Sequence, residues 1–162
     1  MLNIRPAAQV DLPAITEIYN PAVLNTTATF DTQAKTPEEQ KVWFDHHGEK
    51  YPLLVAESGG QVVAWASLSQ YSDRCAYAET AEGSLYVKEG WQRQGIGRQL
   101  TERLLEAGRQ GGLHTVILRI TEGNQASLDL AASFGFQSVG VMREVGSKFG
   151  RRLDVHILQK VF

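Results

Sequence analysis

Leu85-Tyr86-Val87-Lys88-Glu89-Gly90-Trp91-Gln92-Arg93-Gln94-Gly95-Ile96-Gly97-Arg98 passes from a strand pattern through a glycine-spaced turn directly into an amphipathic helix. Gly95 and Gly97 remove side chains where a helix N-terminus leaves its first amides unpaired and carries partial positive charge, so an anion can reach bare backbone. Arg93 and Arg98 add full charges at the same end. The expected ligand is a phosphate or pyrophosphate. A P-loop requires Lys and then Ser or Thr after its last glycine, whereas Gly97 is followed by Arg98 and Gln99. A dinucleotide fingerprint requires a third small residue where Leu100 stands, and an acidic ribose ligand about 20 residues on. What is left is Gln92-x-x-Gly95-x-Gly97 between a strand and a helix, or a glycine-rich left-handed turn that binds nothing.

Downstream, the helix from Gly95 places Ile96, Leu100, Leu104 and Ala107 on one face and Arg98, Glu102, Arg103, Glu106 and Arg109 on the other, and stops at Gly111-Gly112. Thr115–Ile120 reads as a strand covered on both faces, and Asn124 caps a helix to Phe134. Gln137–Glu144 and Leu153–Gln159 are the last strands, joined across a loop over Gly146–Gly150. Upstream, Leu2–Arg5 is an edge strand, and Asp11 caps a helix that Pro21 ends at about Asn20. Asn25–Phe30 is turn-like. Thr36-Pro37-Glu38-Glu39 starts a helix with Trp43 and Phe44 as its buried stripe, ending near Gly48 with His46 and His47 as solvated caps. Pro52–Glu57 and Gln61–Ser69 form a hairpin about Gly59-Gly60, with Trp65 as packing, and Tyr71–Ala78 connects to a strand over Glu79–Val87. Gly83 within that strand implies a bulge or a close backbone approach.

The 162 residues, 43% hydrophobic and 21% charged, suit one domain over 1–162. A net charge of −2 argues against a nucleic-acid surface. Cys75 is alone and forms no internal disulfide, the N-terminus has no leader pattern, and no apolar run reaches the ~20 residues that span a bilayer. A cytoplasmic protein without membrane partners is expected. His114 and His156 have no partners at ligand spacing, so no metal is expected.

The Gln-x-x-Gly-x-Gly loop resembles the acetyl-coenzyme A pyrophosphate loop of the GNAT N-acetyltransferase superfamily, and the element order is the one that superfamily shows. The resemblance is closest to its phosphinothricin and methionine sulfoximine/sulfone N-acetyltransferase branch. It rests on Thr80-Ala81-Glu82-Gly83-Ser84-Leu85-Tyr86-Val87, on Asn124-Gln125-Ala126-Ser127-Leu128 leading to Phe134-Gly135-Phe136, on Val145–Arg151 with Leu153-Asp154-Val155, and on Ile18-Tyr19-Asn20. It implies an α/β (α+β) GNAT fold: a twisted, mixed, mostly antiparallel sheet of about seven strands flanked by about four helices, with a splayed strand pair holding the cofactor. Acetyl-CoA is then the cosubstrate, bound by Leu85, Tyr86 and Val87 along the pantetheine arm, by Gln92, Arg93, Gln94, Gly95, Ile96, Gly97 and Arg98 at the pyrophosphate, and by Asn124 and Ser127. Phe30, Arg74, Tyr77, Thr80 and Lys148 are implied substrate contacts, Lys148 from either protomer of a homodimer.

An amine that is protonated at neutral pH must lose a proton before attacking a thioester, which requires a base beside the acyl carbon. Glu82 is the candidate, its carboxylate raised by burial from an ordinary value near 4.3. Ala131 stands where superfamily members commonly carry Tyr and this branch His, so a paired general acid is missing and a one-carboxylate mechanism is expected. The acceptor is expected to be the α-amine of a small amino acid or analogue. A peptide N-terminus, polyamine or aminoglycoside as acceptor, or a non-catalytic acyl-coenzyme A sensor, are the alternatives.

Overall fold

A computed structural model describes residues 1–162. Seven strands form one sheet: β1 (Leu2–Pro6), β2 (Leu53–Ser58), β3 (Gln61–Gln70), β4 (Thr80–Val87), β5 (Thr115–Thr121), β6 (Gln137–Lys148) and β7 (Arg151–Val161), in the spatial order β1-β2-β3-β4-β5-β7-β6. Four helices flank it: α1 (Leu12–Asn25), α2 (Pro37–Asp45), α3 (Ile96–Gln110) and α4 (Gln125–Ser133). The order of elements and the mixed, mostly antiparallel sheet agree with the sequence reading. No helix is long and apolar enough to cross a membrane.

Strand alternation sends side chains to two separate cores. On one face Ala64, Ala66, Leu68, Val116 and Ile120 pack under Leu100, Leu104 and Leu105 of α3 and Ala131 of α4. On the other, Val55 and Trp65 meet Ile15 and Ile18 of α1, with Trp43 of α2 against them. The helix start expected at Thr36 is present, and it is closed by a capping box: Glu39 N donates to Thr36 Oγ1 at 3.2 Å and Thr36 N to a Glu39 carboxylate oxygen at 2.9 Å.

The β4–β5 junction positions the site. It is the sheet's parallel pair, and it holds for three rungs, Thr80↔Thr115, Ala81↔Val116 and Glu82↔Ile117. Beyond Glu82 the strands part, so β4 from Gly83 to Val87 bonds β3 and leaves its other edge unpaired. This corrects the expectation of a bulge at Gly83, since the β3–β4 register runs unbroken from Gln70↔Ala81 to Ala64↔Val87. Close approach is the observed role: a Cβ at Gly83 would lie 2.7 Å from Leu118 Cδ2.

Other boundaries also differ from the sequence reading. Helix α1 continues through Pro21 to Asn25. Pro21 and Glu17, the residue four before it, are both exposed, which puts the proline on the solvent face of the helix while Val23 beyond is only 1% exposed. The loop expected over Gly146–Gly150 is instead a long hairpin closed by Phe149 (φ 53°) and Gly150 (φ 71°), a two-residue turn matching the strand twist. Ala107 is only half-buried; the line α3 hides is Ile96, Leu100, Leu104, Leu105 and Gly108. Gly108 is where α3 crosses β3, with Leu68 Cδ1 2.5 Å from a hypothetical Cβ.

Candidate active site

Where β4 and β5 part, a cavity of about 720 Å³ opens from the α1–α2 side through the sheet to α3 and α4. Glu82, Leu85, Tyr86, Phe30, Asn124, Ser127 and Ala131 all line it, although they come from three separate parts of the chain. Val87 packs against the α3-side core.

At one end, α3 begins with Gly95 at φ 78° and open space around its missing Cβ. The first backbone bond there runs from Gln99 N to Gly95 O, so the amides of Ile96, Gly97 and Arg98 have no carbonyl partner within the helix. Gln92, Arg93 and Gln94 are exposed just ahead, with Arg93 also at positive φ (62°). Gly97 does a different job from Gly95, because its Cβ would sit 3.3 Å from Leu85 Cδ2; it brings α3 close to β4. Arg98 stacks on Phe134 at 5.3 Å. Asn124 Oδ1 accepts from Ser127 N at 3.3 Å and so caps α4 at the cavity wall. A freed strand edge leading to a helix start with unpaired amides suits an amide-containing arm that ends in a pyrophosphate.

The α1–α2 side is aromatic. Trp65 and Tyr86 are neighbours on β3 and β4, with ring centroids 5.0 Å apart; Tyr19 lies 5.0 Å from Tyr86, and Trp43 5.2 Å from Trp65. Trp65 is packing, as read, but its buried Nε1 has no hydrogen-bond partner. The Tyr19 hydroxyl bonds Thr29 at 2.8 Å and donates to Asp31. Burial pushes the Tyr86 hydroxyl up to about 12 and raises that of Tyr19, so both remain neutral donors.

Glu82 meets a guanidinium rather than the apolar burial expected of it. Arg119 Nε and Nη2 donate to its two carboxylate oxygens at 2.7 and 2.5 Å, and this pairing raises the arginine's pKa further. The sequence reading missed Arg119. Its signal is a charged residue inside the apolar run Ile117-Leu118-Arg119-Ile120, in a strand taken to be covered on both faces. Lys148 is buried to 5% exposure, and its Nζ donates to Thr29 O at 2.8 Å, tying the β6–β7 hairpin to the loop that carries Phe30. Thr80, Arg74 and Tyr77 lie outside the cavity lining; Arg74 is exposed, and Tyr77 stacks on Tyr71 at 5.3 Å. His47 is no solvated cap: it bridges Trp43 O (2.8 Å) and Ser69 Oγ (2.9 Å), and burial lowers its pKa.

The description "Acetyltransferase (GNAT) family" matches residues 12–136 of the chain. The chain belongs to the GNAT family. It is an acetyltransferase, and its curated relatives share nearly its whole length. An L-methionine sulfoximine/L-methionine sulfone acetyltransferase of Pseudomonas aeruginosa is 39% identical over 159 residues, covering 97% of this chain and 92% of the relative. A phosphinothricin N-acetyltransferase of Streptomyces coelicolor is 40% identical over 158 residues, covering 95% and 92%. The solved structure of yncA from Salmonella typhimurium, described with its cofactor acetyl-CoA, superposes with a TM-score of 0.96 at 36% identity, covering 99% of this chain and 94% of that one.

Proposed function

We propose that this GNAT enzyme moves the acetyl group of acetyl-CoA to the α-amine of a small amino acid or analogue of the phosphinothricin, methionine sulfoximine or methionine sulfone type, with Glu82 as general base. The observation that carries this is the position of Glu82 at the last rung before β4 and β5 part, in one cavity with the freed edge of β4 and the aromatic lobe. The names of the relatives support the acceptor class.

Acetyl-CoA supplies an acyl carbon already activated as a thioester. The amides of Ile96, Gly97 and Arg98 hold its pyrophosphate, and the unpaired edge over Leu85–Val87 offers hydrogen bonds to its amide arm and to negative charge developing at the acyl oxygen. Glu82 takes one proton from the acceptor's ammonium so that the nitrogen lone pair can form the C–N bond while the C–S bond breaks, and the second proton that the nitrogen then sheds passes to solvent. The departing thiolate takes a proton from solvent, since Ala131 can donate none and a thiol with pKa near 8.5 makes a tolerable leaving group. Most of the acceleration then comes from holding amine and thioester together. Exposed Val139, Val145 and Phe149 along β6 and its turn supply apolar surface for the homodimer we also propose, to be checked by analytical ultracentrifugation.

The test is thiol release from acetyl-CoA across amino acids, a peptide, a polyamine and an aminoglycoside. Amino-acid analogues should be preferred, and Glu82→Gln should lower kcat by about 10²–10⁴-fold with the KM for acetyl-CoA held within about twofold. Unchanged turnover removes Glu82 as base. Release that no amine stimulates, with coenzyme A still bound, replaces the enzyme reading with an acyl-coenzyme A sensor.

A further inference from the structure

Arg119 stands in the cavity with a partner and no assigned role. It lies two residues beyond Ile117, which pairs with Glu82, so its side chain leaves the sheet on the same face as Glu82, Ser84 and Tyr86. Its two bonds to Glu82 are the bidentate fork that a planar guanidinium offers any carboxylate. The pair is reachable: the Arg119 side chain is 50% exposed, that of Glu82 27%, and both border the cavity. A competing carboxylate can therefore exchange into it. The other basic side chain bordering the cavity, Lys35, lies 3.5 Å from Asp31 on the α1–α2 segment. Arg74, on the exposed connector, does not reach the cavity lining.

A free α-amino acid carries on adjacent atoms what each member of this pair needs once they separate. Resting on the amino-acid reading above, we propose that Arg119 is the specificity-determining residue that binds the acceptor's α-carboxylate. The zwitterion enters between the two side chains, its carboxylate on the Arg119 guanidinium and its ammonium on the released Glu82 carboxylate. One ion pair becomes two, and no charge is left unpaired in the cleft. Recognition is thereby coupled to chemistry: the Glu82 oxygens come free for the nitrogen's proton when a carboxylate occupies Arg119. An amine lacking the carboxylate leaves Glu82 held.

The experiment compares methionine sulfone with its carboxamide, which keeps the amine and side chain and removes the negative charge. Phosphinothricin and methionine sulfoximine, each with its carboxamide, extend the comparison. The wild-type enzyme should prefer the acid in kcat/KM by about tenfold or more, the scale of charge-assisted hydrogen bonds. Arg119→Met should bring that ratio close to one, mainly by raising KM for the acid. Arg119→Lys should keep part of the preference, and it carries the test if the methionine variant does not fold. Arg119→Met also frees Glu82 when the carboxamide binds, which moves the ratio in the same direction as the lost carboxylate contact, so the KM for the acid reads that contact separately. Calorimetric titration of methionine sulfone into protein holding coenzyme A provides a readout apart from turnover, with weaker binding expected in Arg119→Met by a similar factor. A wild-type enzyme without preference for the acid, or variants that retain it in full, overturn the assignment of Arg119 alone. An enzyme that acetylates some other amine and no amino acid overturns the proposed acceptor class and this inference with it.

Discussion

Phe30 is fixed by the absence of a side chain on another strand. A Cβ at Gly146 would lie 2.0 Å from Phe30 Cε2, 2.5 Å from Cζ and 2.7 Å from Cδ2. Carbon atoms rest about 3.5–4.0 Å apart, so Gly146→Ala must push the ring away by about 1.5–2 Å. The backbone at Gly146 is not left-handed, so alanine itself is not strained there. Phe30 is 40% exposed, which lets the ring swing outward and keeps the stability loss near the low end of overpacking, about 1 kcal/mol. Function should suffer more, because Phe30 lines the cavity and ångström-scale misplacement of a bound substrate costs up to about 10²-fold. The expected result is acceptor kcat/KM lowered by about 10–10²-fold, with the KM for acetyl-CoA within about twofold, since the helix start and the β4 edge lie elsewhere. Steady-state kinetics with each substrate varied in turn reads the split, and urea unfolding reads stability. In a Phe30→Ala background the same glycine substitution should be nearly neutral for both. An unchanged acceptor KM, or a full penalty persisting without Phe30, would refute the reasoning.

Lys148→Met should destabilise by about 1–3 kcal/mol in urea unfolding, because it leaves Thr29 O without its buried donor, and it should raise the acceptor KM by loosening the Phe30 loop. His47 has its pKa lowered in the folded state by burial. The unfolded chain therefore binds more protons between the folded pKa and about 6.5, so stability rises with pH through that window and is lost on acidification through it. Unfolding measured from pH 7 down to 5 should show this slope, and His47→Gln should flatten it.

The elements were legible because their signals are local. The capping Thr36 with Pro37 behind it, the glycines that stop α3 and the alternation of the strands each involve residues a few positions apart. Where the reading erred, a distant contact outweighed a local preference. Pro21 is tolerated because burial of Val23 holds the last turn of α1 while its own face meets solvent. His47 looked like a solvated helix end until β3 brought Ser69 to it. Lys148, expected as a substrate contact, spends one of its donors on a carbonyl 119 positions earlier in the chain, a bond no local pattern announces.

Glu82 shows the same division within the site. Its place in a strand that leads into Gln92–Arg98 follows from sequence alone, as does the helix start at Gly95 with its unpaired amides, because turn chemistry and helix polarity need no partner to be read. That β4 and β5 part just beyond Glu82, and that Arg119 grips its carboxylate across 37 positions, was decided only by the tertiary structure. Strand pairing and register are settled by the whole apolar surface being buried at once.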